Sequence, residues 1–183
     1  PPVESVLNAV TEAMRYEAMH GPARPSTIQV IVDKEEQARA SLANLLNVST
    51  TDLGIGTNTS RFMQVVLSNF DWCHGDEFVT TSLEHISTAD AARALSEGHG
   101  VNVNVVNVAE NDEMFLEDLE ASLTENSKLL LISHVASADG RVLPVREASK
   151  VAHSKGALVL VDAAQSVGQI PVDVPAIGCD FLI

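Results

Sequence analysis

Leu158-Val159-Leu160-Val161-Asp162-Ala163-Ala164-Gln165-Ser166-Val167-Gly168-Gln169 places a carboxylate where an apolar run gives way to small and polar residues. Four consecutive branched aliphatic side chains read as a strand buried on both faces, the pattern of a parallel sheet. Asp162 ends that strand. Taking an ionised carboxylate out of water is costly unless a positive charge answers it, and no lysine or arginine lies within the next dozen residues. Two readings stand at this point. Asp162 caps the turn into residues 163–169, or it faces a cation brought by a ligand to the carboxyl rim of the sheet.

On the amino-terminal side of this strand, apolar strand-like and amphipathic helix-like segments alternate. The pattern predicts strands at residues 53–56, 77–81, 101–106, 128–133, 157–161 and from 181 onward, with helices at 59–70, 88–97, 114–123 and 145–154 between most of them. Such succession implies an α/β fold, a mainly parallel sheet covered by helices on both faces. Ahead of it, Val6, Leu7, Val10 and Met14 give residues 3–20 helical spacing, and Gly21-Pro22-Ala23-Arg24-Pro25 ends that helix in a loop. Asp33 then reads as the N-cap of a second helix reaching about residue 46, with Glu35 and Glu36 in its first turn. The organisation expected is an N-terminal helix and loop at 1–32 and one larger domain at 33–183.

Hydrophobic residues make up 45% of the 183-residue chain, enough to build a sizeable core. The apolar runs at 129–132 and 157–161 are far too short to span a bilayer. With 25 acidic against 11 basic residues, the net charge of −14 disfavours nucleic acid and anionic membranes as partners. Cys73 and Cys179 fit no metal-ligand spacing and nothing at the start resembles a signal segment, so a reducing cytoplasm is expected. Acidic residues cluster between 110 and 125, but Leu116, Leu119 and Leu123 keep helical spacing there, which reads as a solvated helix face. Asp180-Phe181-Leu182-Ile183 falls inside a predicted strand, which suggests a fragment of a longer protein.

Three further segments repeat the design of polar residues at a strand exit. Gly54-Ile55-Gly56-Thr57-Asn58-Thr59-Ser60 opens a helix whose apolar face is Phe62, Val65, Val66 and Phe70. Backbone amides and hydroxyls at a helix start hold a phosphate well, and Thr59 in place of a third glycine favours a monoester over a pyrophosphate. An ordinary Asn/Thr/Ser cap is the plainer alternative. Thr80-Thr81-Ser82-Leu83-Glu84-His85-Ile86-Ser87 sets an imidazole at the rim, where it can stack on a planar ring or exchange protons. Ile132-Ser133-His134-Val135-Ala136-Ser137-Ala138-Asp139-Gly140 offers Ser137 as a donor and Gly140 for the turn. Four strand ends, at Gly56, Thr81, Ser133 and Asp162, thus converge on one rim, which suggests a pocket. Asp71, His74 and Asp76 read as a helix-to-strand turn around Gly75-Asp76 rather than a metal site. A ligand that fits this set is pyridoxal phosphate, which combines a phosphate monoester with a ring nitrogen that stays protonated opposite an aspartate.

With those residues in view the chain resembles the class V aminotransferase family of fold type I pyridoxal phosphate enzymes, which includes cysteine desulfurases, selenocysteine lyase and isopenicillin N epimerase. The most specific match is Val161-Asp162-Ala163-Ala164-Gln165-Ser166-Val167-Gly168-Gln169-Ile170-Pro171-Val172-Asp173-Val174 with Gly178-Cys179-Asp180-Phe181. Weaker matches, in the right order, are Asn58-Thr59-Ser60, Glu84-His85, and Ser133-His134-Val135 through Gly140 to Leu143-Pro144.

The resemblance implies that Thr59 and Ser60 bind the cofactor phosphate, His85 stacks on the pyridine ring with a catalytic role, Asp162 pairs with the ring nitrogen and Gln165 donates to the phenolic oxygen. Ser137 stands where desulfurases carry an asparagine, a departure towards the epimerase side. The family's Schiff-base lysine would follow a few residues after Ile183, and its small C-terminal domain later still. Lys34, Lys128, Lys150 and Lys155 match no part of that motif. The resemblance therefore implies a large-domain piece of a homodimeric enzyme acting on a small amino acid by aminotransfer, desulfuration, C–S lysis or epimerisation, not competent alone. The alternative is a non-catalytic α/β module that binds a phosphorylated ligand or forms half of a split enzyme.

Overall fold

The computed structural model describes residues 3–183, which divide into two compact units. The first holds the residues through Leu45 together with Ser49–Leu53. It contains α1 (Glu4–His20), most of α2 (Pro25–Leu46) and a 3-10 turn at Thr50–Asp52. α1 ends at Gly21, whose N–H donates to Glu17 O. Asp33 is not a cap: α2 starts at Pro25, eight residues earlier by sequence number, and Asp33 lies mid-helix, accepting from Gln29 Nε2 at 2.8 Å. The physical reason is that proline at a first helical position has no N–H to leave unpaired and already holds a helical φ, so Pro25 opens the helix instead of prolonging a loop. On α2, Arg39 donates to Leu53 O and pairs with Glu35 at 3.0 Å and Glu36 at 3.4 Å.

The second unit holds Leu46–Val48 and Gly54–Ile183. Five parallel strands, β1 (Glu77–Thr81), β2 (Asn102–Val106), β3 (Ser127–Ser133), β4 (Leu158–Asp162) and β5 (Phe181–Leu182), form one sheet in the order β2-β1-β3-β4-β5. Between them run α4 (Ile86–His99), α5 (Asp112–Ser122), α6 (Val145–Ser154) and α7 (Val174–Ile177), with α3 (Thr59–Ser68) ahead of β1. This is the α/β architecture expected. Residues 53–56 depart from it, because they form no strand: they follow the 3-10 turn as coil before α3. Gly54 and Gly56 carry no side chain with which to contribute to a sheet face, so the segment gains little from pairing.

Pleating sorts the apolar strand residues to two faces. Phe78, Leu129, Leu131 and Leu160 pack with Met63 and Leu67 of α3 and with Ala92 and Leu95 of α4. The alternate residues Val79, Leu130, Ile132, Val159 and Val161 are fully buried too, on the side where α5 and α6 lie against β2, β3 and β4. Burial on both faces explains why β3 and β4 read as unbroken apolar runs. It also leaves the strand ends as the place where polar side chains can gather.

Candidate functional site

Register fixes the site. In the β3–β4 ladder Ser133 pairs with Asp162, and β1, next to β3, ends at Thr81. Asp162 is only 7% exposed. Its Oδ1 accepts the Ala164 N–H at 2.9 Å, so the turn-capping reading is correct as far as it goes. That single bond does not balance the burial. Desolvation raises the proton affinity of Asp162 above the ordinary carboxylate value, opposed by the Ala164 hydrogen bond and the nearby His85. Among the described residues no lysine or arginine pairs with Asp162.

Facing this rim is the start of α3. Asn58 is its N-cap, accepting the Arg61 N–H at 2.8 Å through Oδ1. The N–H groups and hydroxyls of Thr59 and Ser60 take no part in any hydrogen bond among the described residues. They are free donors at the positive end of a helix. Gly56 serves packing here: a Cβ built on it would lie 2.7 Å from the Phe62 ring.

His85 is the N-cap of α4, a role the sequence did not reveal because imidazole is an unusual capping group. Its Nδ1 accepts the Ser87 N–H at 3.2 Å and contacts Ser87 Oγ at 2.9 Å. A backbone N–H can only donate, so the cap matches the tautomer in which Nδ1 accepts and the ring hydrogen sits on Nε2. The cap thus favours that tautomer and holds the ring.

Thr59, Ser60, His85, Ser137, Asp162 and Gln165 all line one cleft of about 250 Å³. Asn58, Ser87, Ser133, Val135 and Ala164 complete its wall. All five fall in segments that the sequence singles out, Ser133 as a strand exit, but none is given a site role there, because the path of the turns decides which side chains reach the cleft. A larger groove of about 680 Å³ runs along α4 and β2, lined by Ala92, Val103 and Val105 together with Thr81, Glu84 and His85. Asp162 and the free donors of the α3 start line the smaller cleft. No lysine, arginine or cysteine lines that cleft among the described residues. Cys179 lies elsewhere, and burial pushes its thiol up to about 11, which keeps it protonated and unreactive. Asp76 serves the turn after α3, accepting the Cys73 N–H at 2.8 Å.

The donor set suits an anionic monoester at the α3 start and a protonated heterocycle at Asp162. Both groups line one cleft, and so does His85, whose ring is held by its capping bond. Those are the complementary features of pyridoxal phosphate.

Comparison with known proteins gives the family and the fold. The family model for aminotransferase class-V matches residues 3–183. A probable cysteine desulfurase of Methanothermobacter thermautotrophicus is 35% identical over 177 residues, covering 96% of this chain and 44% of that protein. The structure of the cystine C-S lyase C-DES in complex with its reaction product, cysteine persulfide, superposes with a TM-score of 0.91 at 28% identity, over 98% of this chain and 49% of that one. A mutant C-DES with glycine covalently linked to its PLP cofactor superposes with a TM-score of 0.89 at 28% identity, over 96% of this chain and 47% of that one. The chain spans a little under half the length of these relatives.

Proposed function

Because the chain belongs to the class-V aminotransferase family, we propose that its cleft holds pyridoxal 5'-phosphate and that the whole protein acts on a small amino acid. The observation that carries this is Asp162, a buried carboxylate with no lysine or arginine partner among the described residues, set in a cleft that is also lined by a helix start with free donors. In this reading Thr59 and Ser60 hold the phosphate with their amides and hydroxyls. Asp162, ionised, would keep a proton on the ring nitrogen, because a carboxylate with little access to water is itself stabilised by an adjacent N–H⁺. His85 covers the ring face, while Gln165 and Ser137 donate to the phenolic oxygen. Once bound, the cofactor supplies an electron sink for charge developing at the substrate α-carbon.

The names of the relatives point to sulfur amino acids and to chemistry at a C–S bond. Ser137, which lines the cleft and stands where desulfurases carry an asparagine, favours direct C–S lysis or epimerisation. Homodimerisation is proposed on the family resemblance, and the exposed Val6, Leu7 and Val10 on α1 support a shared surface. Both cysteines are free, in keeping with the reducing cytoplasm proposed as the compartment. Among the described residues no helix is long and apolar enough to cross a membrane.

Equilibrium titration of the chain with pyridoxal 5'-phosphate, and separately with NAD, tests the reading. Binding of the former is expected, weakened about tenfold or more by Asp162→Ala, since a charge-assisted hydrogen bond contributes roughly 1.5–3 kcal/mol. Equal affinity for wild type and Asp162→Ala would refute it.

A further inference from the structure

Glu84 precedes His85 in the turn between β1 and α4. Its carboxylate accepts from Thr81 Oγ1 at 2.6 Å, from Ser133 N–H at 3.0 Å and from Ser133 Oγ at 2.5 Å. One donor belongs to the end of β1 and two to the end of β3, so a single side chain ties together two strand exits that are far apart in sequence. Ser133 is in register with Asp162, and the next residue, His134, donates its N–H to Asp162 O at 2.8 Å. The chain of contacts therefore runs from the residue before His85 to the strand end that bears Asp162.

The carboxylate uses both oxygens for this arrangement: Oε1 accepts from Thr81 Oγ1 and the Ser133 N–H, and Oε2 accepts from Ser133 Oγ. The choice is expensive for the fold: desolvation is the main influence on Glu84 and raises its proton affinity, and the Asp162 charge raises it further. Two interacting acidic groups at one rim, with no lysine or arginine partner among the described residues, are a poor way merely to join two strands. Such a cost is characteristic of a functional site.

We propose that Glu84 is a positioning residue of the cleft, clamping the β3 exit to the turn after β1 and so setting the separation of His85 and Asp162 across which a planar ring is held. The inference rests on the pyridoxal phosphate reading for what is held. Its structural half, the orientation of His85, stands apart from that reading.

The test uses the chain as it is, with visible circular dichroism titration against pyridoxal 5'-phosphate and ¹⁵N resonances of the His85 ring. In the wild type the His85 signals should report an unprotonated Nδ1 and a protonated Nε2. Glu84→Ala is expected to mix the two tautomers and to weaken cofactor binding about tenfold, the scale of losing hydrogen bonds to a charged group. Should that variant fail to fold, Glu84→Gln, with one acceptor oxygen left, should show a smaller loss of about threefold. A purely structural role would lower the melting temperature while leaving the His85 signals and the affinity unchanged, and that result would overturn the proposal. If Glu84→Ala binds normally while Asp162→Ala does not, this inference fails and the cofactor reading stands. If neither substitution matters for binding yet His85 loses its tautomer preference, the clamp stands and the cofactor reading fails.

Discussion

Asp162 combines two opposing demands. Burial raises its proton affinity, so the folded state binds that proton more tightly than the unfolded chain does. The associated stability is fully present below the ordinary carboxylate range and is lost as the pH rises through the raised native value. Asp162→Asn keeps an acceptor oxygen for the Ala164 N–H and removes the ionisation. The variant should therefore be more stable than wild type at neutral pH, with the gap closing as the pH falls towards about 4, near the ordinary aspartate value. Urea unfolding across that range measures it; a variant less stable than wild type at neutral pH would contradict the account. A gain in stability with a loss of ligand affinity is the pattern expected of a residue retained for function. The sequence alone showed the Asp162 problem, because an acid ending an apolar strand is visible in one dimension. It could not show Glu84 in the same light, since the partners Thr81 and Ser133 meet it only when β1 and β3 lie side by side.

Among the elements, the helix starts decide the site. α3 begins with Asn58 capping Arg61, which leaves the next amides free to meet an anion. Asn58→Ala should lower stability by about 1 kcal/mol, the usual loss for an N-cap, without changing the denaturant dependence of unfolding. Urea titration followed by far-UV circular dichroism would show it, and an unchanged midpoint would mean that the cap carries no weight. α4 starts two residues earlier than the apolar periodicity of 88–97 suggested, because the imidazole of His85 supplies the missing acceptor. α2 starts at Pro25 for the complementary reason, that a proline has no N–H in need of a partner. Periodicity finds the middle of a helix; the first turn depends on who satisfies its donors.

For the whole molecule, the parallel order β2-β1-β3-β4-β5 brings the ends of β1, β3 and β4 together, so residues scattered from 58 to 165 line one cleft. The four lysines of the chain are not among its lining residues. Cofactor binding by this chain should therefore be reversible: borohydride treatment of the complex followed by peptide mass spectrometry should find no adduct on Lys34, Lys128, Lys150 or Lys155. Stoichiometric reduction onto any of them would show a covalent site that the geometry does not contain. The sequence by itself determined the α/β class, the strand interiors and the candidate residues, because burial on both faces and small-residue turns leave local marks in composition and spacing. Only the tertiary structure decided that 53–56 is not a strand, that His85 caps a helix through Nδ1, and that Glu84 joins two strand exits. Those facts depend on hydrogen bonds whose partners are chosen by three-dimensional proximity, and no local pattern records them.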